Sequence, residues 1–402
     1  MQMNEAALMA RPTAEIGRMG TRAIIVGAVG VALGVIGFLT DESARHVLLQ
    51  SYLIAYIFWL GITLGSLAVL MIQHLTGGAW GLVARRVLEA STRNLPLMFV
   101  LFVPIAFELP ALYSWARPEA ASDHIIHRKA AYLNKEFFYA RAVLFFVVWG
   151  ALVFWLNKWS KEQDQQPAVP PGPLDRRFRM LSGPGLVLFV ITITFMSVDW
   201  VMSLDPHWYS TIFGILTLGE YGLSTMAFTI LILSRLVRFK PMSEFAVADH
   251  FHDLSKLMFA FVLLWAYFSV SQLIIVWSGN LPEEIPFYLD RFHGPWRPVS
   301  IAVLLGHFVV PFALLLSASL KRTPSRVAVV AFFILVMRVV ETAWMIGPMV
   351  RHEGSGLHWL DFALVLGMGG IWLFVFFRNL AGRALVPARD PYLKDAFAHG
   401  GH

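Results

Sequence analysis

Acidic residues inside long apolar runs are the side chains of this sequence best placed to do chemistry. The five of them are Glu108, Asp199, Glu220, Glu341 and Asp361. A charged group at membrane depth costs about 2.5–3.5 kcal/mol on the insertion scale, so each acid is expected to face the protein interior and to find a partner there. Carboxylic acids in a poorly solvated interior can exchange protons near neutral pH. These residues are therefore predicted to be candidate proton carriers.

Two basic groups share the apolar runs with these acids. Arg338 precedes Glu341 by three residues, so both lie on one helix face, where an ion pair lowers the cost of burying them. A structural ion pair and a proton-carrying site are equally open interpretations of this spacing. His307, the one histidine in the middle of an apolar run, is expected to be a hydrogen-bonded interior residue rather than a quinone or proton ligand. A solvated interfacial position is preferred for Asp361, and a function for Glu108.

A second candidate site lies at a turn between the fifth and sixth apolar runs. It contains Asp199, Asp205, His207 and Tyr209. An acid, an imidazole and a phenol together could bind a quinone head group through hydrogen bonds. Aromatic residues that anchor the turn at the membrane interface are the simpler interpretation.

The elements that must position these residues are transmembrane helices. Of 402 residues, 57% are hydrophobic and 14% are charged, which is typical of a membrane protein. Ten continuous apolar runs of about 20 residues predict an all-α integral membrane fold rather than a β-barrel. The runs are residues 22–39, 52–72, 95–113, 138–155, 183–202, 212–233, 257–277, 299–318, 327–348 and 359–377. The first is expected to be a retained helix, because no small-residue cleavage site follows it.

Basic residues predict the orientation of these helices. Ten helices place both termini on one side, where 22 Lys and Arg residues are expected, against nine on the other. The 22 include Arg85, Arg86 and Arg93, assigned to the connection between the second and third runs. By the positive-inside rule both termini are cytoplasmic, so the five acids lie toward the outer side, whereas the inner half offers mainly hydroxyl groups.

The residues that are missing from the sequence limit its chemistry. It contains no cysteine, which excludes iron–sulfur clusters, thiolate zinc sites and c-type haem attachment within this chain. The pair of facing intramembrane histidines that a b-type haem needs is also missing. The net charge of +6 is spread over short segments between apolar runs, which argues against nucleic acid as a partner. Gly27, Gly30 and Gly34 are expected to allow close helix packing.

Three stretches of the sequence resemble one protein family closely. They are residues 199–204 (DWVMSL), 208–214 (WYSTIFG) and 277–286 (WSGNLPEEIP). Over essentially its whole length the chain is similar to the ActF family, which is the quinone-binding subunit 2 of bacterial alternative complex III. That family belongs to the wider group of NrfD-like, polysulfide-reductase-type membrane anchors.

The resemblance implies a membrane subunit of a quinol:electron acceptor oxidoreductase in the bacterial cytoplasmic membrane, a multi-pass component of a respiratory electron-transport chain. The expected partners are a multihaem cytochrome c, an iron–sulfur subunit, a paralogous quinol-binding membrane subunit, small membrane subunits and, as a further candidate, a terminal oxidase. Haem c and iron–sulfur clusters belong to those partners. This chain then binds no redox centre, and quinone or quinol is a candidate ligand, although quinol oxidation is assigned most firmly to the paralogous subunit. A proton-conducting role carries over to Glu108, Asp199, Glu220 and Glu341.

The resemblance also implies a division of the chain. It comprises an N-terminal cytoplasmic segment (1–21), a first helix with its outer loop (22–47), four-helix bundle A of helices two to five (48–211), four-helix bundle B of helices six to nine (212–350), a tenth helix (351–378) and a cytoplasmic tail (379–402). A secondary transporter and a purely structural membrane anchor are the alternative functions.

Overall fold

Every regular element of the protein is helical in residues 12–165, 173–351 and 355–393, which are the residues that the computed structural model describes. Ten helices are long and apolar enough to cross a membrane, which confirms the predicted all-α, multi-pass membrane fold. They are α1 (Thr13–Thr40), α2 (Val47–Thr76), α3 (Ala79–Phe107), α4 (Lys135–Gln165), α5 (Asp175–Leu204), α6 (Phe213–Leu236), α7 (Ala248–Gly279), α8 (Gly294–Leu315), α9 (Pro324–Val350) and α10 (Trp359–Ala381).

Helices α1 and α10 pack closely and run antiparallel. Gly20 lies beside Phe377 at one end of the pair, and Gly37 lies beside Trp359 at the other. The chain therefore enters α1 and leaves α10 at the same end of the molecule, called here the terminal end; the other is the opposite end. A Cβ atom on Gly30 would lie only 2.4 Å from the backbone nitrogen of Gly367. The expected close packing of the α1 glycines is confirmed.

Replacing Gly30 by alanine is expected to separate α1 from α10. The new methyl group would meet backbone atoms at 2.4 and 2.6 Å, and relief of such overpacking costs about 1–3 kcal/mol of unfolding free energy. Gly150 in α4 has nothing within 4 Å of an added Cβ, so the same change there should be neutral or slightly stabilising. Thermal unfolding in detergent compares the two variants, and equal midpoints would contradict the packing argument.

Helices α2 and α6 form the centre of the molecule. Most of their length is buried, whereas α1 and α7 mainly face outward. Gly61 and Gly65 of α2 let the two backbones approach, since a Cβ on Gly65 would lie 2.4 Å from the carbonyl oxygen of Tyr221 in α6. Around this pair, α2 also contacts α3, α5, α9 and α10, and α6 also contacts α5, α7 and α9. Polar groups on α2 and α6 are therefore kept away from lipid.

Helix α3 begins earlier than the apolar run predicted. It starts at Ala79 and bends near Asn94, so Arg85 and Arg86 lie within the helix and are 1% and 2% exposed. The assignment to a connection between helices is wrong for both residues. Their charges are buried because Glu89, one turn later, pairs with them.

The chain after α10 folds back against the terminal end. Residues 382–393, called here the C-terminal strap, bury Leu385, Val386 and Leu393. Asp390 Oδ2 accepts a hydrogen bond from Arg85 Nη1 at 2.6 Å. The described part of the predicted tail is thus packed on the helices, and residues 394–402 lie outside the described ranges.

Candidate functional site

Glu220, Arg338 and Glu341 form a buried cluster between α6 and α9, called here the triad. Arg338 Nη2 lies 3.3 Å from Glu220 Oε2, and Arg338 Nη1 contacts the Glu341 carboxylate. Arg338 Nε also donates to Ser224 Oγ at 3.1 Å. The three ionisable residues are between 1% and 8% exposed. The expected pair of Arg338 and Glu341 is present, and Glu220 on another helix is its third member.

The triad has an indole and an imidazole beside it. Trp265 Nε1 of α7 donates to Glu341 Oε1 at 3.1 Å, and the ring of His307 lies edge-on to Trp265 with centroids 4.3 Å apart. His307 is fully buried, and neither of its ring nitrogens has a hydrogen-bond partner among the described residues. The interior position expected for His307 is confirmed, and its expected hydrogen bonds are not made to any described residue.

An irregular stretch of α8 carries His307. The turns from Val303 to Val309 are π-helical, and Pro311 follows. Proline has no N–H to bond the carbonyl four residues earlier, which here belongs to His307, and its ring would clash with that carbonyl. A wider turn relieves the clash, and such π-helical insertions often occur at functional sites.

The triad has two carboxylates for one arginine, and in this it differs from the other buried ion pairs of the described chain. Asp199 is matched by Arg141, and Asp361 by Arg351. At the terminal end, ion pairs join three arginines to three carboxylates, namely Arg85, Arg86 and Arg383 to Glu89, Asp164 and Asp390. With both acids ionised the triad holds one uncompensated negative charge, which is costly to bury. One proton on a carboxylate or on the adjacent imidazole removes that charge.

The ion-paired arginines and carboxylates at the terminal end, called here the terminal cluster, were not predicted from the sequence. Glu89 Oε1 accepts from Arg85 Nε at 2.9 Å and from Ser160 Oγ at 2.6 Å, while Glu89 Oε2 accepts from Arg86 Nη1 at 2.8 Å. Arg383 Nη1 adds a fourth contact at 3.1 Å. The expectation that this half of the membrane region offers mainly hydroxyl groups is therefore wrong. The four contacts made to the Glu89 carboxylate suit a structural role.

Asp361 is buried rather than solvated. It is 0% exposed, and it pairs with Arg351 and accepts from Ser51 Oγ at 2.6 Å and from the His358 backbone N–H at 3.0 Å. The preferred interpretation of a solvated interfacial residue is wrong, because Arg351 and the start of α10 enclose the carboxylate. These bonds fix the α9–α10 connection at the opposite end.

Glu108 does not reach the interior. It is exposed and stands where α3 ends, next to Phe107, which is 80% exposed. The expectation that it faces inward is wrong, because α3 ends at this residue. The helical repeat that would turn its side chain toward the interior stops there. The structure does not bring Glu108 to the triad.

Three buried tyrosines lie between the triad and Asp199. Tyr221 neighbours Glu220, Tyr56 neighbours Tyr221 and Tyr113, and Tyr113 in turn neighbours Asp199. The hydroxyls of Tyr221 and Tyr56, and Glu220 Oε1, are buried without a hydrogen-bond partner in the described ranges. Buried polar atoms of this kind are usually bonded to ordered water. We call Tyr221, Tyr56 and Tyr113 the tyrosine seam.

The seam leads toward the surface at the opposite end. Arg141 Nε lies 2.7 Å from Asp199 Oδ2, and its guanidinium lies 3.9 Å from the centroid of the Tyr132 ring. Tyr132 lines a cavity of about 320 Å³, together with Asp205 and Tyr209. The tyrosine seam and Asp199 are therefore the candidate polar groups between the triad and this outer cavity.

The proposed quinone residues are only partly assembled. Asp205 and Tyr209 share the outer cavity, whereas Asp199 bonds Arg141 and His207 Nε2 lies 2.8 Å from Asp123 Oδ2. The N–H of Ile126 and the ring of His207 hold the pKa of the Asp123 carboxyl below its usual range. Trp200 and Trp208, expected as interfacial anchors, are buried instead.

The described ranges contain no group of three His, Asp or Glu side chains placed to hold a metal ion. No model of a known protein family matches this chain, and no functionally curated protein matches it either.

Proposed function

We propose that the chain is an integral membrane subunit of a respiratory quinol:electron acceptor oxidoreductase of the alternative complex III type. It holds no redox centre of its own and carries protons beside a paralogous subunit that oxidises quinol. The resemblance at residues 199–204, 208–214 and 277–286 supports the complex. The unequal charge of the buried triad is the observation that carries the proton role.

Quinol oxidation releases two protons with its two electrons, so the complex needs groups that bind and release protons away from the electron path. The triad suits this task because its protonated form is neutral and its deprotonated form carries one negative charge beside Arg338. The energies of the two forms stay close when the arginine offsets the burial cost of the anion. A proton can then leave as readily as it binds.

The tyrosine seam supplies the route by which such a proton reaches the outer side. Tyrosine hydroxyls both donate and accept hydrogen bonds, so with intervening waters they can relay a proton between Glu220 and Asp199. Arg141 pairs with Asp199 and orients its carboxyl group at the end of the seam. Tyr132 and the outer cavity then open to solvent.

The finer architecture belongs to the same proposal. Bundle A is supported by contacts of α2 with α3 and α5 and of α4 with α5, and bundle B by contacts of α6 with α7 and α9. The excess of basic residues at the terminal end supports cytoplasmic termini in the bacterial cytoplasmic membrane. Quinone or quinol, haem c and iron–sulfur subunits are the ligands and partners in this view.

Affinity purification of the full chain from its native membrane tests this assignment. We expect subunits with c-type haem and iron–sulfur clusters to co-purify, together with a second ten-helix subunit, and the preparation to oxidise quinol. A chain purified alone that moves a solute across vesicles would establish a transporter instead. A chain with partners but without haem or iron would contradict the proposal.

A further inference from the structure

A large cavity lies between α7, α8 and α9, next to the triad. Its volume is about 860 Å³, and Glu341 and Trp265 form part of its inner wall. On its outer rim Tyr267, Ile274 and Leu304 are 67%, 53% and 56% exposed. Because these residues lie on the membrane-facing surface of spanning helices, the cavity opens sideways into the hydrocarbon of the bilayer. Its occupant must come from the membrane.

The length of the cavity matches one leaflet. Its lining runs from Leu263 to Ile274 on α7 and from Arg297 to Phe308 on α8. At a rise of about 1.5 Å per residue each stretch covers roughly 16 Å, and half of the hydrocarbon core is about 15 Å thick. Arg297 stands at the opposite end of the molecule, where the leaflet meets its head groups. An acyl chain therefore fits along the cavity.

The polar groups Ser300, Trp344 and Gln272 on the wall of the cavity are already bonded to the protein. Ser300 Oγ donates to the Arg291 carbonyl at 2.6 Å and accepts from Trp344 Nε1 at 2.7 Å. Gln272 bonds both Ser210 and Tyr288. These inner-wall groups are engaged within the protein and are not free to hold a quinone carbonyl. The chemistry of the wall favours a hydrocarbon chain.

The mouth of the cavity carries one free cation. Arg297 is exposed and makes no hydrogen bond or ion pair with any described residue. A guanidinium pairs with a phosphate through two parallel hydrogen bonds, and more strongly at an interface than in bulk water. Positive charge at the rim and an apolar interior are complementary to a lipid with an anionic head group.

From these observations we propose that the cavity is a binding site for one anionic phospholipid of the leaflet at the opposite end, its phosphate on Arg297 and one acyl chain along α7 and α8. The bound chain covers the cavity side of Glu341 and excludes water there, so the triad is accessible only from the protein interior. The lipid site stands on the cavity alone and does not depend on the oxidoreductase assignment.

Native mass spectrometry of the full chain tests this site with dioleoyl phosphatidylglycerol and dioleoyl phosphatidylcholine as probes. The wild-type chain is expected to retain one phosphatidylglycerol in preference to phosphatidylcholine. Arg297→Gln should weaken that binding by about tenfold, the usual scale for losing a charge-assisted hydrogen bond. Ala266→Phe, which adds a ring inside the cavity, should prevent binding of either lipid chain.

Two matched variants control the measurement. Lys135→Gln removes another exposed cation at the same end, and Val29→Phe adds a ring on a lipid-facing surface of α1, away from the cavity. Both should bind phosphatidylglycerol like the wild type. The site is disproved if Arg297→Gln binds as tightly as Lys135→Gln, or if the wild-type chain retains an isoprenoid quinone in place of the phospholipid.

Discussion

Replacing Glu89 by glutamine is expected to lower the free energy of unfolding by about 3–5 kcal/mol, because it leaves buried arginines without their shared counter-charge. The carboxylate bonds Arg85 and Arg86 at 2.9 and 2.8 Å and lies 3.1 Å from Arg383. Glutamine keeps the shape of the side chain but cannot offset three cations. Chemical denaturation in detergent micelles, followed by circular dichroism, measures the loss.

An exposed ion pair provides the control for Glu89. Glu244 lies 2.6 Å from Lys240, whose side chain is 78% exposed, and exposed pairs of this kind contribute about 0–1 kcal/mol. Glu244→Gln should therefore leave the denaturation midpoint nearly unchanged. Similar midpoints for both variants would contradict the structural role of the terminal cluster.

Replacing Glu341 by glutamine should reduce proton-coupled quinol turnover of the assembled complex by about tenfold or more, as is usual when a proton-transfer group is lost. Glutamine can keep the hydrogen bond from Trp265 but has no carboxyl group to bind and release a proton. Glu220→Gln should act in the same way. Either change leaves one carboxylate for one arginine, so stability should be kept, in contrast to Glu89→Gln. Infrared difference spectra should lose the signal of a protonated carboxylic acid.

The tyrosine seam gives a finer test of the same mechanism. Tyr56→Phe removes only a buried hydroxyl that bonds no described residue, so the fold should tolerate it while turnover falls. Tyr139→Phe is the matched control, because that hydroxyl is near the surface and donates to the Ala106 carbonyl at 2.8 Å. If Glu341→Gln, Glu220→Gln and Tyr56→Phe all kept wild-type turnover and proton stoichiometry, the triad would be a structural cluster.

The sequence was sufficient to predict the ten helices and the pair of Arg338 with Glu341. Both depend on short-range patterns, namely the length of an apolar run and a spacing of three residues along a helix. The third member of the triad could not be predicted, because Glu220 comes from α6 and meets Arg338 only through the packing of distant segments. The unequal charge of the site is therefore a tertiary property.

Helix α3 contains a local signal of ion pairing that its low hydropathy hides. Arg85, Arg86 and Glu89 lower the local hydropathy, so the apolar run was placed after them. Their spacings of four and three residues are the same evidence of pairing that was used for Arg338. Asp164 and Asp390, which complete the cluster, are remote in sequence and carry no such signal.

The expectations that failed for Asp361 and Glu108 depend on their surroundings. Asp361 is buried because Arg351, ten residues earlier, folds over it. Glu108 faces outward because α3 ends there. Hydropathy and spacing describe neither of these causes, since each depends on where the backbone departs from a regular helix.

The C-terminal strap has a consequence for the order of assembly. Arg85 is synthesised 305 residues before Asp390, its partner, so the third helix is made long before this ion pair can form. Arg383 and Asp390 both belong to the strap, so its docking adds one positive and one negative charge to the cluster. We therefore expect the buried charges of α3, which Asp164 of α4 already balances, to stay balanced before and after the strap packs on the helices.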